Sequence, residues 1–239
     1  MKSRFLPAII IAIYLAGCSS GGNSDGNNSK KQSTENTSVS AANSVLFKDY
    51  VFGQPRAKYE ATTVAEDCSD EAEDVLCLKE RTTFLGYEFD VELNFTDKKL
   101  NSVSLAALYS DDLFAKVLSS LPSNNFTTVY FLFGKKNLDI LAASQKSKPE
   151  AIMSYIIKNL TILEEEDRLD EFSGILMENL NGADGKIRYR AKNYPELFRQ
   201  IPENNRVIQL SFFYDEAQEQ YYLILDFLLK KSLVTKENF

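Results

Sequence analysis

The sequence predicts an α+β fold in which antiparallel β-hairpins pack against helices. Two kinds of pattern predict it. Alternation of apolar and polar side chains with a period of two brackets a polar turn at three places along the chain. Between those places lie apolar stripes at helical spacing, bounded by capping and breaking residues. The body they build, from about Val45 to Phe239 of the 239 residues, is about 195 residues long, enough for one large domain or two small ones.

Phe89, Val91, Leu93 and Phe95 alternate with Asp90, Glu92 and Asn94, as a half-buried strand does. Thr96-Asp97-Lys98-Lys99 is a polar turn, and Val103, Leu105 and Ala107 resume the alternation, which makes the first hairpin. Ser110 then offers an N-cap, with Asp111 and Asp112 where the positive end of the helix dipole favours them. Leu113, Phe114, Val117, Leu118 and Leu121 form one stripe that Pro122 stops.

Strand-like Thr127 to Phe133 and Leu138 to Ala143 flank Gly134-Lys135-Lys136-Asn137, a second hairpin. Pro149 opens a helix carrying Ile152, Ile156, Leu160 and Leu163, with a break expected at Glu164 to Asp167. Leu169, Phe172, Leu176 and Leu180 keep helical spacing beyond it, so more helix is expected there. Gly182-Ala183-Asp184-Gly185 should end it, followed by a short strand at Ile187 to Arg190 and a turn at Tyr194-Pro195. The third hairpin joins Arg206–Tyr214 to Gln220–Leu229. It is apolar on both faces, with Ile208, Leu210 and Phe212 on one and Val207 and Phe213 on the other, as expected of central strands covered on both sides.

The boundary suggested by polar Ser144 to Pro149 divides the body into an α+β part at 45–145 and a helical part with the last hairpin at 146–239. Val91-x-Leu93-x-Phe95-x-Asp97 echoes Ile208-x-Leu210-x-Phe212-x-x-Asp215. Duplication into two similar subdomains and chance similarity of two amphipathic strands both explain the echo.

Ahead of the body, Lys2 and Arg4 precede an apolar run from Phe5 to Leu15 that ends in small residues. That is the layout of a cleaved export signal, too short to cross a hydrocarbon core that needs roughly 20 residues. Leu15-Ala16-Gly17-Cys18 resembles the lipobox of bacterial lipoproteins. The resemblance implies cleavage of residues 1–17, acylation of Cys18 and attachment to a membrane. Ser19, in place of Asp, implies an outer-membrane destination in enteric bacteria. Residues 18–44 complete this part: Ser19 to Ser44 is poor in apolar side chains and reads as a disordered tether, with a mean span of about 28 Å.

Loss of the leader removes two of 27 basic residues and no acidic ones, leaving 25 against 34 and a net charge of −9. So acidic a chain is not expected to bind nucleic acid, whose affinity comes largely from basic surface. Anionic headgroups should also repel it, so acyl chains must hold it to a membrane. There is no histidine in the chain, which excludes Ser-His-Asp and Cys-His catalysis and every zinc site that needs a histidine.

With Cys18 acylated, Cys68 and Cys77 remain, and in an exported chain they are expected to form a disulfide. Their spacing is not Cys-x-x-Cys, so the bond reads as a staple rather than a redox centre. Asp70, Glu71, Glu73 and Asp74 lie inside the loop that bond closes, with Asp67 just before it, and Glu164-Glu165-Glu166-Asp167 is a second acidic run. Both read as solvated surface, since neither has a calcium-loop ladder. Asp184-Gly185-Lys186-Ile187 superficially resembles part of such a loop. Aligned on Gly185, the end ligands would be Leu180 and Ala191, which rules the match out. The one G-x-S-x-G, Gly17 to Gly21, straddles the cleavage point and is a chance match. No catalytic residue, metal or cofactor is assigned.

Tyr189, Tyr194, Phe198, Phe212, Phe213, Tyr214, Tyr221 and Tyr222 crowd the end of the chain. Tyr214, Tyr221 and Tyr222 are candidate interface residues, because tyrosine brings a large rigid area and a polar tip. Core and sheet-face packing explains the same residues without an interface.

The order hairpin, helix, hairpin after Phe52-Gly53-Gln54-Pro55, over about Phe47 to Phe133, resembles two helix-on-antiparallel-sheet groups. One is the small lipoproteins of β-barrel assembly; the other is modules like the β-lactamase inhibitor protein. This is a likeness of element order, and the helix after Pro149 departs from it. The expected function is a membrane-anchored, non-enzymatic module that binds or scaffolds an envelope protein. An inhibitor of a periplasmic enzyme and a hydrolase working with carboxylates alone are the alternatives.

Overall fold

A computed structural model of the chain describes residues 44–62, 64–69, 73–178, 180 and 189–233. The leader, Cys18, the tether to Asn43, Asp70, Glu71, the Gly182–Gly185 turn and half of the strand expected at Ile187 to Arg190 lie outside the described residues, and its other half, Tyr189 and Arg190, is not strand.

The body opens with β1 (Val45–Phe47), β2 (Tyr50–Val51) and the single turn α1 (Ala57–Glu60). Short strands β3 (Ala65–Asp67), β4 (Asp74–Leu78) and β5 (Thr82–Phe84) follow. The first expected hairpin is β6 (Tyr87–Thr96) with β7 (Lys99–Leu108). Thr96 pairs with Lys99, and Asp97 and Lys98 between them both have positive φ, 51° and 58°. A turn with two such residues matches the right-handed twist of its strands, so the register is set locally.

Next comes α2 (Asp111–Ser120), where the Ser110 side chain accepts the Leu113 N–H at 3.2 Å, as a capping serine should. The rest of the chain supplies β8 (Phe126–Phe133), β9 (Lys136–Asp139), α3 (Ile140–Ser144) and α4 (Pro149–Glu165). It closes with β10 (Phe172–Glu178), α5 (Tyr194–Gln200), β11 (Arg206–Asp215), β12 (Gln220–Leu229) and α6 (Lys230–Leu233).

Three expectations are corrected. The strand expected over Leu138 to Ala143 turns into α3 at Ile140, because the Asp139 carboxylate caps the helix at the Ala142 N–H, 3.0 Å away. Phe172 to Glu178 is a strand and not a helix: Phe-Ser-Gly-Ile-Leu-Met is buried on both faces between β8 and β11, and a short apolar run has no period that separates the two states. Tyr194-Pro195 is the first turn of α5 and not a loop. Asn193 caps it by accepting the Glu196 N–H at 2.9 Å, with proline in the first turn where it needs no N–H partner.

All strands from β3 onward join one sheet in the order β3-β4-β6-β7-β12-β11-β10-β8-β9, with β5 pairing the end of β6. Every pairing is antiparallel, which with the helices makes the fold α+β. Strands from both sides of the polar segment at 144–149 pair with each other, β7 with β12 and β8 with β10. The two echoing strands carry their matched residues to the same core: Val91, Leu93 and Phe95, and Ile208, Leu210 and Phe212.

That core lies between the sheet and a layer of α2 and α4, with Leu113, Val117, Ile152 and Ile156 among the residues facing in. Phe172 is its centre, with ring centroids of Phe114, Phe131, Phe133 and Phe212 between 5.1 and 5.6 Å away. A smaller core on the opposite face joins Val129, Ile175, Met177, Val207 and Leu228 to Tyr194 and Leu197 of α5, to Ile201 just after it and to Leu233 of α6. Among the described residues no helix is long and apolar enough to cross a membrane.

Gly174 shows how tightly the main core closes on β10. A Cβ there would lie 2.7 Å from the buried ring of Phe131. Gly174→Ala should therefore lose about 1–3 kcal/mol of stability from overpacking. Urea unfolding followed by circular dichroism would read this as a lower midpoint at unchanged slope.

Candidate functional site

The β11–β12 hairpin is central, as expected, but its two faces differ in cover. Ile208, Leu210 and Phe212 are buried under the helices, and Val207 is buried in the smaller core. Phe213, on the same face as Val207, is 58% exposed. The expectation of cover on both sides fails there, because α5 and α6 pack at the Val207 end of the strand and stop short of Phe213.

The bare area continues across the sheet. Phe213 pairs with Tyr222, and Tyr222 with Leu108, so three large side chains stand in one row on one face. Leu108 is 52% exposed. The adjoining row runs Asp90, Ala106, Ile224, Ser211, Ser173 and Leu132 over six strands, all half-buried. At the usual strand spacing, that row is about 24 Å wide.

The third row is acidic. Glu92 pairs with Ser104 and Ser104 with Asp226, two strands and about 10 Å of backbone from the first carboxylate. The Ser104 hydroxyl donates to Asp226, and the Asn94 amide donates to Ser104 at 2.8 Å. Glu92 is exposed, yet its carboxyl is pushed above the usual range. The protein packed about it contributes most, followed by the like charges of Asp226, Glu73 and Asp90. Asp90 is held in a two-pronged pair by Arg81, at 2.8 and 3.0 Å.

Chemically, this row can hold a proton or attract positive charge. A hydrolase using two carboxylates needs its substrate held between walls. Here both carboxylates lie on an open sheet face.

Cys68 and Cys77 are joined, with an S–S distance of 2.02 Å and Cα atoms 5.9 Å apart. Cys77 is the register neighbour of Glu92, so the bond flanks the acidic row. Acidic residues on either side of Cys68 tie this edge to the body. Arg56, 5% exposed, pairs with Glu60 at 2.6 Å, with Asp67 at 2.9 Å and with Asp74, which Lys98 also reaches at 3.0 Å. Burial pulls the Arg56 guanidinium down, but its hydrogen bonds to Asp67, Glu60 and Asp74 outweigh that and raise it. Asp67 is lowered to about 2 by Ser69 and then by Arg56. For Asp74, burial is outweighed by Lys98 and Arg56, and the carboxyl is lowered.

The three tyrosines singled out in the sequence are divided by the sheet. Tyr214 and Tyr221 come together, with ring centroids 4.8 Å apart, at the end of the helix-covered face. Tyr221 is half-buried against the main core and its hydroxyl is raised by burial, whereas Tyr222 points to the open face. Neighbours on a strand must point to opposite sides, so Tyr221 and Tyr222 cannot share a surface. Leu108 escaped sequence reasoning, as did the Glu92–Asp226 row. The only local hint was the small-residue face Ser102, Ser104, Ala106 that precedes Leu108.

Comparisons with family models, with curated proteins and with solved structures return no match for this chain.

Two outcomes follow for the Arg56 clasp. Asp67 and Asp74 titrate lower in the folded chain than in the unfolded one, so their contribution is present above about pH 4. It is lost as pH falls through the folded values towards 2. Arg56→Met should cost about 1–3 kcal/mol by leaving Glu60 and Asp67 without their cation and Asp74 with Lys98 alone, and should shrink that acid step in urea midpoints measured from pH 6 to 2. Reducing the disulfide should cost up to about 2.7 kcal/mol by the loop-entropy estimate, read from unfolding midpoints with and without reductant.

Proposed function

We propose that this chain is a lipid-anchored lipoprotein of the cell envelope that binds another protein through the open face of its sheet, without catalysis of its own. The observation that carries the reading is the row Leu108, Tyr222, Phe213: three large side chains side by side in register, two of them more than half exposed. Apolar side chains massed on one surface cost free energy in water unless a partner covers them.

The anchor reading rests on Leu15-Ala16-Gly17-Cys18 and the polar stretch after it. The way the tether joins the body is consistent with such a role. Arg206 donates to the Leu46 carbonyl at 2.9 Å, reaches the Val45 carbonyl at 3.5 Å and pairs with Glu178, which pins β1 at the start of β11. Phe213 lies seven residues along β11 and points to the other face. At a strand rise of roughly 3.3 Å, that places the row about 23 Å from the pinned tether. A membrane pulling on residue 44 leaves the row free to face outward.

A photo-crosslinking residue placed at Leu108 or Phe213 in living cells is expected to give a discrete protein adduct. The same residue at Lys158, exposed on α4, is expected to give none. Equal labelling at all three positions, or none at 108 and 213, would refute the binding surface. Separately, Cys18→Ser should abolish palmitate labelling and move the protein out of the membrane fraction. Retention in the membrane would refute the lipid anchor.

A further inference from the structure

We propose that the Cys68–Cys77 bond is a redox latch on β3: a dithiol reductant opens it, and β3 then parts from β4 while the rest of the sheet stays folded. The inference is independent of the binding role proposed above, since it concerns the β3 edge of the sheet and not the Leu108, Tyr222, Phe213 row.

β3 is held by bonds rather than by burial. No residue from Val64 to Ser69 is buried: Ala65 is half-buried and the rest are exposed. β4 beside it carries Val75 and Leu76 into the protein, at 6% and 2% exposure. An edge strand of three residues without a buried side chain has little to set against the entropy of ordering it. Segments of this kind open locally, at a free energy well below that of global unfolding.

Several ties oppose that opening. The Lys79 N–H donates to the Val64 carbonyl at 2.8 Å, and the Cys68 N–H to the Val75 carbonyl at 3.3 Å. The Ser69 hydroxyl donates to the Val75 carbonyl at 3.0 Å and accepts the Val75 N–H at 2.9 Å. Asp67 pairs with Arg56. Bonds at a wetted edge are individually weak, because water competes for each of them. The disulfide is covalent, and it joins β3's end to the middle of β4. By the loop-entropy estimate for so short a loop, it makes the open state about a hundredfold rarer.

The bond is placed where a reductant can reach it. Cys68 is exposed and Cys77 half-buried, and exposed disulfides are the labile ones. A thiolate of the dithiol attacks the Cys68 sulfur, the S–S bond breaks, and Cys77 leaves as a thiolate that takes a proton from water. The second thiol of the reductant then displaces Cys68 from the mixed disulfide. The chain is left with two thiols and the reductant with one disulfide. When β3 parts, the Val75 N–H and C=O and the Lys79 N–H lose their partners on it and form a new open sheet edge.

Hydrogen exchange read by mass spectrometry tests the latch on the full lipidated chain in a neutral detergent, with dithiothreitol as the dithiol. Dithiothreitol is expected to reduce the bond without denaturant. The amides of Cys68, Val75 and Lys79 should then exchange about a hundredfold faster, and those of β7, β11 and β12 at an unchanged rate. Cys68→Ser with Cys77→Ser should give the fast pattern without reductant, and dithiothreitol should change it no further. Reoxidation of the natural chain should restore slow exchange.

A bond that is reduced only in denaturant overturns the latch, because no reductant then reaches it in the folded chain. Unchanged exchange at Cys68, Val75 and Lys79 after reduction overturns it too, since β3 then stays in place without the bond. Faster exchange throughout β7, β11 and β12, or a double variant that does not fold, means that the bond holds the whole body together, and the latch falls.

Discussion

The antiparallel ladder between β7 and β12 joins residues more than a hundred positions apart, from Leu108 with Tyr222 to Ser102 with Leu228. Without it the sheet would fall into two narrower ones, β3-β4-β6-β7 and β12-β11-β10-β8-β9, each with too little apolar face for a shared core. The ladder makes one sheet on which α2 and α4 can bury a common core, with Phe172 of β10 surrounded by rings from β8, β11 and α2. It also sets the surface. The same pairing that brings Leu105 beside Leu225 in the core brings Ser104 beside Asp226 and Leu108 beside Tyr222 on the other face. Contacts of such long range are slow to form, since closing the loop costs entropy before any burial offsets it.

Cover of the second face is divided along the strands. α5 and α6 bury Val207, Met177 and Leu228, and beyond them the sheet meets water at Ile224, Phe213 and Leu108. A strand half covered in this way carries apolar side chains along its whole face, some for the core and some for a surface. Composition cannot separate the two uses. The charge pattern marks the change: Asp226 and Glu92 stand where the packed part of the face gives way to the open part.

The disulfide and the Arg56 clasp act together at the β3–β4 edge. Arg56 is buried against the ring of Phe95, its guanidinium 5.7 Å from the ring centre, so its charge is sustained by carboxylates drawn from α1, β3 and β4. Cys68–Cys77 closes a short loop that contains one of those carboxylates, Asp74, and has another, Asp67, next to its first cysteine. The edge of the sheet beside Glu92 is therefore fixed by one covalent and several ionic ties, which keeps the acidic row in place.

Local chemistry determined much by itself. The hairpins at Asp97-Lys98 and Arg206–Leu229, the Ser110 cap, the α4 helix from Pro149 and the cysteine pair all depend on residues close in sequence, where turn, cap and loop geometry act without help. The α+β class follows from them. The fate of Phe172 to Glu178, by contrast, was decided in the tertiary structure. Its spacing suits a helix, and only the vacancy between β8 and β11 makes it a strand. The split between Tyr221 and Tyr222, the bare ring of Phe213 and the meeting of Glu92 with Asp226 were likewise out of local reach. Each depends on which strand lies next to which, and that choice is made by the burial of side chains far apart in the chain, not by any one of them alone.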